Sequence, residues 1–389
     1  MAELSKWQVE LKNSIRKPAD LLARGMIRES ELAAIEKIHE YFPFSITPYY
    51  AGLINWDNPN DPLLRIVAPS IDEQDRSGSL DVSGEAENTQ NTGEEGTQMK
   101  YPSTVLMLPI PVCFAYCRFC FRKRLFNPEV KGEEILKNLG DALSFIKDHP
   151  SVNNILLTGG DPLMIKTSML RKFLREIRKV PHVKIIRFGT RVLTFLPSRI
   201  TSDPELLDLL KEISEHDKRV YFVNHFNHPN ELTEEVGKAS DSLIKSGVIL
   251  ANQSVFLRGV NDSPEILRDL FNKLAAWGIT PYYIFQCKFI KGSGHFRIPL
   301  IESCDLFDDA TRGLNGLAKR VKFIMAHFSG KIEVLGTEMR SGERWIFLKY
   351  HQARNEALIG KVLSFPLPEQ AYWFDDLPGV NTDPRLQRS

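Results

Sequence analysis

Residues 104–120 read Thr104-Val-Leu-Met-Leu-Pro-Ile110-Pro-Val-Cys113-Phe-Ala-Tyr-Cys117-Arg-Phe-Cys120. An apolar run suited to a buried strand leads into a loop carrying three cysteines at C-x3-C-x2-C spacing. The loop brings three thiols together and offers no fourth ligand nearby. Structural metal sites are normally closed by four protein ligands, and ordinary ferredoxin clusters take four cysteines. Three sulfurs can instead hold three irons of a cubane and leave the fourth iron open to a small molecule. The alternatives are a zinc knuckle completed by a distant residue, and a disulfide. No histidine lies between Cys113 and Cys120, and Cys287 and Cys304 are far along the chain. Five cysteines in 389 residues, behind a polar start with no secretory leader, point to a reducing, cytoplasmic setting. The expected occupant is a 4Fe-4S cluster on Cys113, Cys117 and Cys120.

Downstream of Thr104 the pattern repeats. Apolar runs at 104–110, 153–158, 183–188, 220–224, 248–255 and 282–286 alternate with amphipathic stretches at 133–147, 168–179, 204–216, 231–246 and 264–277. Serial β/α units mean a parallel sheet with right-handed crossovers. The expected fold class is α/β, a full or partial TIM-type barrel of about six units, with chemistry at the carboxyl ends of its strands. Four segments are expected: a helical N-terminal extension (1–76), a flexible acidic linker (77–99), the barrel (100–303) and a C-terminal extension (304–389). The linker reading follows from a polar, acidic composition without large apolar residues. In the C-terminal part a helix is expected from about 306 to 320. A run at 323–326 follows it, then an antiparallel pair at 331–335 and 345–350 around Ser341-Gly342-Glu343. The aromatic tail from Tyr372 should pack down ahead of a frayed polar end.

Hydrophobic residues make up 42% of the chain and charged residues 25%, with a formal net charge of +1. That composition supports a large buried core and gives no reason to expect nucleic acid or an anionic membrane as a partner. No apolar run is long enough to span a bilayer. Self-association is left open.

After the second expected strand comes Thr158-Gly159-Gly160-Asp161-Pro162. Paired glycines let the backbone approach a ligand closely, and their amides can meet polar groups. A tight strand-to-helix turn would look the same. With the cysteine spacing, this element resembles the radical S-adenosylmethionine (SAM) superfamily, in which the corresponding acidic element contacts the amino group of SAM. The resemblance narrows with Tyr101-Pro102, Arg122-Lys123-Arg124, Arg187-Phe-Gly-Thr-Arg191, His225-Phe-Asn-His228-Pro-Asn230, Asn252-Gln-Ser-Val and Gly259-Val-Asn261. Tyr282-Tyr-Ile-Phe-Gln-Cys287 and His295-Phe-Arg297-x-Pro299 follow in the same order. From about Lys100 to Lys331 the chain is identified as a member of the lysine 2,3-aminomutase family.

The resemblance implies an isomerase that moves an amino group between adjacent carbons. One electron reaching the cluster cleaves SAM, and the 5′-deoxyadenosyl radical takes hydrogen from the substrate. Pyridoxal phosphate (PLP) holds the migrating amine. A reducing partner such as flavodoxin or ferredoxin and a small amino acid substrate are implied. Gly159, Gly160 and Asp161 would face SAM, Arg122 would grip the substrate α-carboxylate, and Lys331 would carry PLP. On the residues alone, Arg122 could instead belong to a surface basic cluster, and Lys331 could be a turn lysine opening an exposed strand.

Several positions depart from the family pattern. The glycine run before the PLP lysine is reduced to Ser329-Gly330, and Lys100 and Thr104 align with two phosphate-binding arginines. Lys288 aligns with one of the two aspartates that hold the distant ammonium in the lysine enzyme. Glutamate 2,3-aminomutase resembles this chain in having a lysine there, and the alternation of Lys288, Phe289 and Ile290 leaves open that Lys288 points out of the barrel. The other aspartate falls within 323–330, which has no carboxylate. These departures favour a glutamate-like or neutral substrate. A PLP-independent enzyme acting on another small molecule or on a protein side chain, and a non-catalytic metal-binding scaffold, are the competing readings.

Overall fold

Successive residues of a strand face opposite sides of its sheet, and here the two sides are buried for different purposes. In the computed structural model, which describes residues 4–127, 134–383 and 386, eleven strands form one sheet in sequence order. They are β1 (Thr97–Tyr101), β2 (Thr104–Ile110), β3 (Asn154–Gly159), β4 (Ile185–Gly189), β5 (Arg219–Asn224), β6 (Ile249–Val255), β7 (Thr280–Phe285), β8 (Lys322–His327), β9 (Gly330–Arg340), β10 (Glu343–Ala353) and β11 (Val362–Pro366). Strands β2 to β8 are parallel neighbours throughout. Antiparallel strands flank them, β1 on one side and β9 to β11 on the other. The ends β1 and β11 are not neighbours, so the sheet is a partial barrel.

Val105 and Met107 of β2, Ile155 and Leu157 of β3, Ile186 and Phe188 of β4, and Val220 and Phe222 of β5 are fully buried. Their neighbours of opposite parity, among them Leu106, Leu156, Arg187 and Val223, face an internal cavity. The helices close the outer layer by ordinary sequence logic. Helix Pro264–Ala276 starts at Ser263, whose side chain accepts the Ile266 N–H, with Pro264 in its first turn. It buries Leu267, Leu270, Phe271 and Leu274, an i, i+3, i+4, i+7 stripe. Each such side chain contributes roughly 1.5–3 kcal/mol.

The expected α/β class and partial barrel are present, with differences of detail. The parallel run has seven strands, because 322–327 joins it. β1 and β11 come in addition, and β1 (Thr-Gln-Met-Lys-Tyr) is too polar to announce itself. The C-terminal helix runs Leu300–Arg312 rather than 306–320, starting behind Pro299 and stopping at Gly313. In the tail, Phe374 and Leu377 are buried. The expected frayed end lies beyond residue 383, where only Leu386 is described, and the expected helix start at Glu133 lies outside the described residues.

Segment 77–99 is a correction: it is folded rather than an unstructured linker. Ser79 bridges to Ile290, a short helix spans Glu85–Gln90, and Thr97 enters β1. Charge pairing supplies what apolar burial does not. Asp81 and Glu85 pair with Arg124, Glu85 also with Arg122, Glu87 with Arg354 and Glu95 with Lys137. Composition shows the charges but not their partners.

The N-terminal helices fasten the cysteine loop. Arg118, inside the C-x3-C-x2-C run, is fully buried and meets Glu73 with two hydrogen bonds, Nε to Oε1 at 2.7 Å and Nη2 to Oε2 at 2.8 Å. Its Nη1 donates to the Pro43 carbonyl, and Lys123 Nζ donates to Glu73 Oε2. Burial alone would raise the Glu73 pKa, but Arg118 and Lys123 hold it below the usual carboxylate range. The pair therefore contributes its full stability above about pH 4.3, and that contribution is lost as pH falls through the lower folded-state value. Glu73→Ala strands two buried cations and should cost about 3–5 kcal/mol. The urea midpoint of the cluster-free chain should fall accordingly, and the Glu73→Leu/Arg118→Leu double variant should lose less. An unchanged midpoint for Glu73→Ala would show that the pair does not hold the loop.

Candidate active site

The inward parity of the strands and the loops at their carboxyl ends enclose a cavity of about 360 Å³. Cys113, Cys117 and Cys120 line it, together with Gly159, Gly160, Asp161, Lys100, Arg122, Lys288 and Lys331. Every residue given a site role in the sequence thus reaches one wall or another of a single space. All five cysteines are free. Cys287 also lines the cavity, whereas Cys304 lies on helix Leu300–Arg312.

The three cysteines are half-buried as residues and share the cavity lining. Burial pushes the Cys113 thiol well up and Cys120 to about 12, with the neighbouring thiols adding to both. Iron would therefore displace protons on binding, as metals do at coordinating thiols. Among the described residues no three His, Cys, Asp or Glu stand close enough to hold one ion. Three thiols without a fourth protein ligand beside them match a cluster with one open iron better than a structural zinc site, which is normally closed by four protein ligands.

The Gly-Gly-Asp turn packs on the entry to the cysteine loop. Gly160 N–H donates to the Ile110 carbonyl and Asp161 N–H to the Val112 carbonyl, both at 2.8 Å. The Gly160 amide, one of the two glycine amides expected to be available to a ligand, is therefore used within the chain, as is that of Asp161. Gly159 has φ +109°, and a Cβ on Gly160 would fall inside contact distance of the Val112 backbone. Asp161 accepts from Leu163 N–H, Arg191 N–H and Thr190 Oγ1–H. Burial pushes it up to about 6, and these hydrogen bonds resist that shift. Its carboxylate welds the loops after β3 and β4 together.

Arg122, Lys123 and Arg124 are buried, not a surface cluster. Arg122 Nε meets Glu85 Oε1 at 2.8 Å, and its Nη1 donates to Thr158 Oγ1 at 3.0 Å. Lys288 points inward, donating to Ser83 Oγ with its ammonium 5.1 Å from the centre of the Phe121 ring. Burial brings it down to about 8, Glu85 resisting and Arg122 assisting. Lys331 also faces the cavity instead of solvent. Its Nζ donates to Gln352 Oε1 at 2.9 Å and stands near the rings of Tyr101 and Tyr283. Burial, then Arg187 and Lys288, bring it down to about 7. Lys100 donates to the His327 carbonyl, and burial with the charges of Lys288, Arg354 and Lys331 brings it down to about 6. Gln98 Nε2, His225 Nε2 and Gln286 Oε1 on the lining have no hydrogen-bond partner among the described residues, so the space suits a polar guest.

A Radical SAM superfamily model matches residues 107–270. A protein of Aquifex aeolicus (strain VF5), provisionally named L-lysine 2,3-aminomutase, is 42% identical over 351 residues, covering 90% of this chain and 91% of that protein. The L-lysine 2,3-aminomutase of Clostridium subterminale is 34% identical, covering 81% of this chain and 73% of that protein. The chain belongs to the lysine 2,3-aminomutase family. The family also includes a glutamate 2,3-aminomutase from Clostridioides difficile (strain 630), 32% identical over 80% of this chain and 72% of that protein. Membership makes the chain a radical SAM enzyme of the aminomutase type. Among the described residues no helix is long and apolar enough to cross a membrane.

No role was legible along the chain for Glu85, Arg187, Arg191, Tyr283 or Gln352, all of which line the cavity. Arg187 carried a signal. A cation in the middle of Ile185-Ile186-Arg187-Phe188 cannot face the helix layer, so it must face something polar on the other side. Its Nε donates to Asn154 Oδ1 at 3.0 Å. Glu85 carried none, because its partner is 37 residues away.

The close approach at Gly160 generates a test. Gly160→Ala should push the turn off Val112 and distort the cysteine loop. Anaerobic iron loading should then fall well below that of the unmodified chain while far-UV circular dichroism stays the same. Full loading would show that the contact yields without consequence.

Proposed function

We propose that the chain catalyses 1,2-amino migration on an amino acid with an acidic or neutral side chain, using a 4Fe-4S cluster, SAM and PLP. The observation that carries the reading is the shared cavity, with three open thiols and a lysine of lowered pKa on one lining. Cys113, Cys117 and Cys120 would hold the cluster, and SAM would lie along Gly159, Gly160 and Asp161 beside the sulfurs. Lys331 would hold PLP, with Lys100 as a point charge for its phosphate. Together these groups supply radical generation and a covalent hold on the migrating nitrogen.

The chain's own residues do the rest. Near neutrality Lys331 is substantially unprotonated, the form in which an amine attacks a carbonyl. Arg122 offers a fork to an α-carboxylate once Glu85 gives way. Lys100, Arg122, Arg187, Arg191, Lys288 and Lys331 line the cavity against Glu85 and Asp161 among the described residues. Both carboxylates are already engaged. A distal ammonium placed 4 Å from Lys288 would be repelled by about 4 kcal/mol at an effective dielectric of about 20. A carboxylate there would gain a charge-assisted hydrogen bond. A one-electron donor of the flavodoxin or ferredoxin class would supply the electron. A PLP-independent reaction is the second reading, favoured by Thr104 at an expected phosphate position and by the low basicity of Lys100.

Three outcomes test this. Cys117→Ala should lose the iron and sulfide that the unmodified chain takes up anaerobically. A full four-iron complement in that variant would remove the cluster assignment. Borohydride should fix PLP on Lys331, with a yield that rises with pH through about 7 as the amine loses its proton. Absence of any adduct at pH 8 would favour the PLP-independent reading. With the loaded enzyme, glutamate should be isomerised and free L-lysine should not, and Lys288→Asp should shift the preference towards lysine. Efficient formation of β-lysine by the unmodified enzyme would overturn the substrate assignment.

A further inference from the structure

We propose that Arg191 is a positioning residue for the Cys117 sulfur, and that its N–H···S hydrogen bond raises the reduction potential of the cluster. The inference rests on reading Cys117 as a cluster ligand and goes beyond it. Arg191 Nη1 stands 2.8 Å from Cys117 Sγ, and Nη2 stands 2.7 Å from Glu231 Oε1. The guanidinium is buried and lies 4.3 Å from the centre of the Phe195 ring. Its backbone N–H is fixed by Asp161 at 2.8 Å.

Glu231 is itself held from three sides. Oε1 accepts from Tyr50 Oη–H at 3.0 Å, and Oε2 accepts from the backbone N–H groups of Asn227 and His228. The carboxylate is fully buried, so it cannot swing and take the guanidinium with it. The fork is thus aimed at one sulfur before anything binds there. An arginine does not lose its proton in a protein.

Reduction adds one electron to the cluster from an external one-electron donor and breaks no bond to the protein. The added charge is spread over the sulfurs, where an N–H donor and a cation stabilise it. Hydrogen bonds to cluster sulfurs and net charge are among the protein's levers on this potential. The charge of Glu231 opposes the effect, but it lies beyond the guanidinium and is spread over four donors. The net result favours the reduced form.

The test uses the full chain, reconstituted anaerobically without SAM so that nothing competes at the open iron. Iron and sulfide content are measured first, then the midpoint potential by dye-mediated titration followed through the electron paramagnetic signal of the reduced cluster. Arg191→Gln/Glu231→Gln leaves no lone buried charge, Glu231→Gln alone isolates the opposing carboxylate, and Arg191→Lys keeps a cation that cannot reach both partners. The double variant should load iron normally and show a reduced-to-oxidised ratio about tenfold lower at fixed potential, a shift of about 59 mV for one electron. Arg191→Lys should shift in the same direction by less, and Glu231→Gln in the opposite direction. Full loading with an unmoved potential would overturn the proposal. So would loss of the cluster from both Arg191 variants, which would make the residue necessary for assembly instead. An unmodified chain that takes up no iron would overturn the cluster reading itself, a different and separable result.

Discussion

A buried guanidinium, that of Arg118, holds the centre of this molecule together. It sits between Cys117 and Phe119 with no exposed surface, and Glu73 from the N-terminal segment meets one of its edges with two hydrogen bonds. A charge removed from water must be paired and hydrogen-bonded, or it destabilises whatever contains it. Here the pairing couples the cysteine loop to residues 42–73. Trp7 adds an edge contact to Phe114 on the same loop. The helices ahead of the sheet therefore anchor the loop that the chemistry needs, and the chain before Thr97 belongs to the site in a mechanical sense.

The sheet imposes the second constraint. Because side chains alternate along each strand, one parity fills the layer beneath the helices and the other is left facing inward. A fully apolar inner face would close into a packed core. Instead Arg187, Gln253 and Tyr283 come up at inward positions, together with Thr104, Thr158 and Lys331, and the interior stays open. Burial lowers the basicity of the enclosed lysines, and neighbouring cations lower it further. Lys331, Lys100 and Lys288 thus share one cause for three shifted values, and each would be recharged by an anionic guest. The same cavity can therefore hold an amine reactive near neutrality and still attract carboxylate or phosphate.

Sequence by itself determined the class of the sheet, because apolar runs and amphipathic stretches alternate with a period that permits few other folds. It also determined the donor set. Three cysteines at fixed spacing after the first parallel strand must project from one loop, whatever the rest does. The ordered motifs around Gly159, Arg187 and His225 carried the family. These are local features, read from neighbours along the chain.

Tertiary structure alone decided what each charge meets. Glu85 lies in a stretch whose composition reads as unstructured, yet it is buried against Arg122 and Arg124 because the fold brings complementary charges across 37 residues. Lys331 alternates with apolar neighbours just as an exposed strand lysine would, and only the pairing of β9 with β10 turns it towards Gln352 and the cavity. Asp161 carries a motif position, but its carboxylate is engaged by Arg191 and Thr190 from the next loop. Arg191 reaches Cys117 across 74 residues. A contact between distant residues depends on where the strands close, and the spacing of residues along a chain holds no record of that.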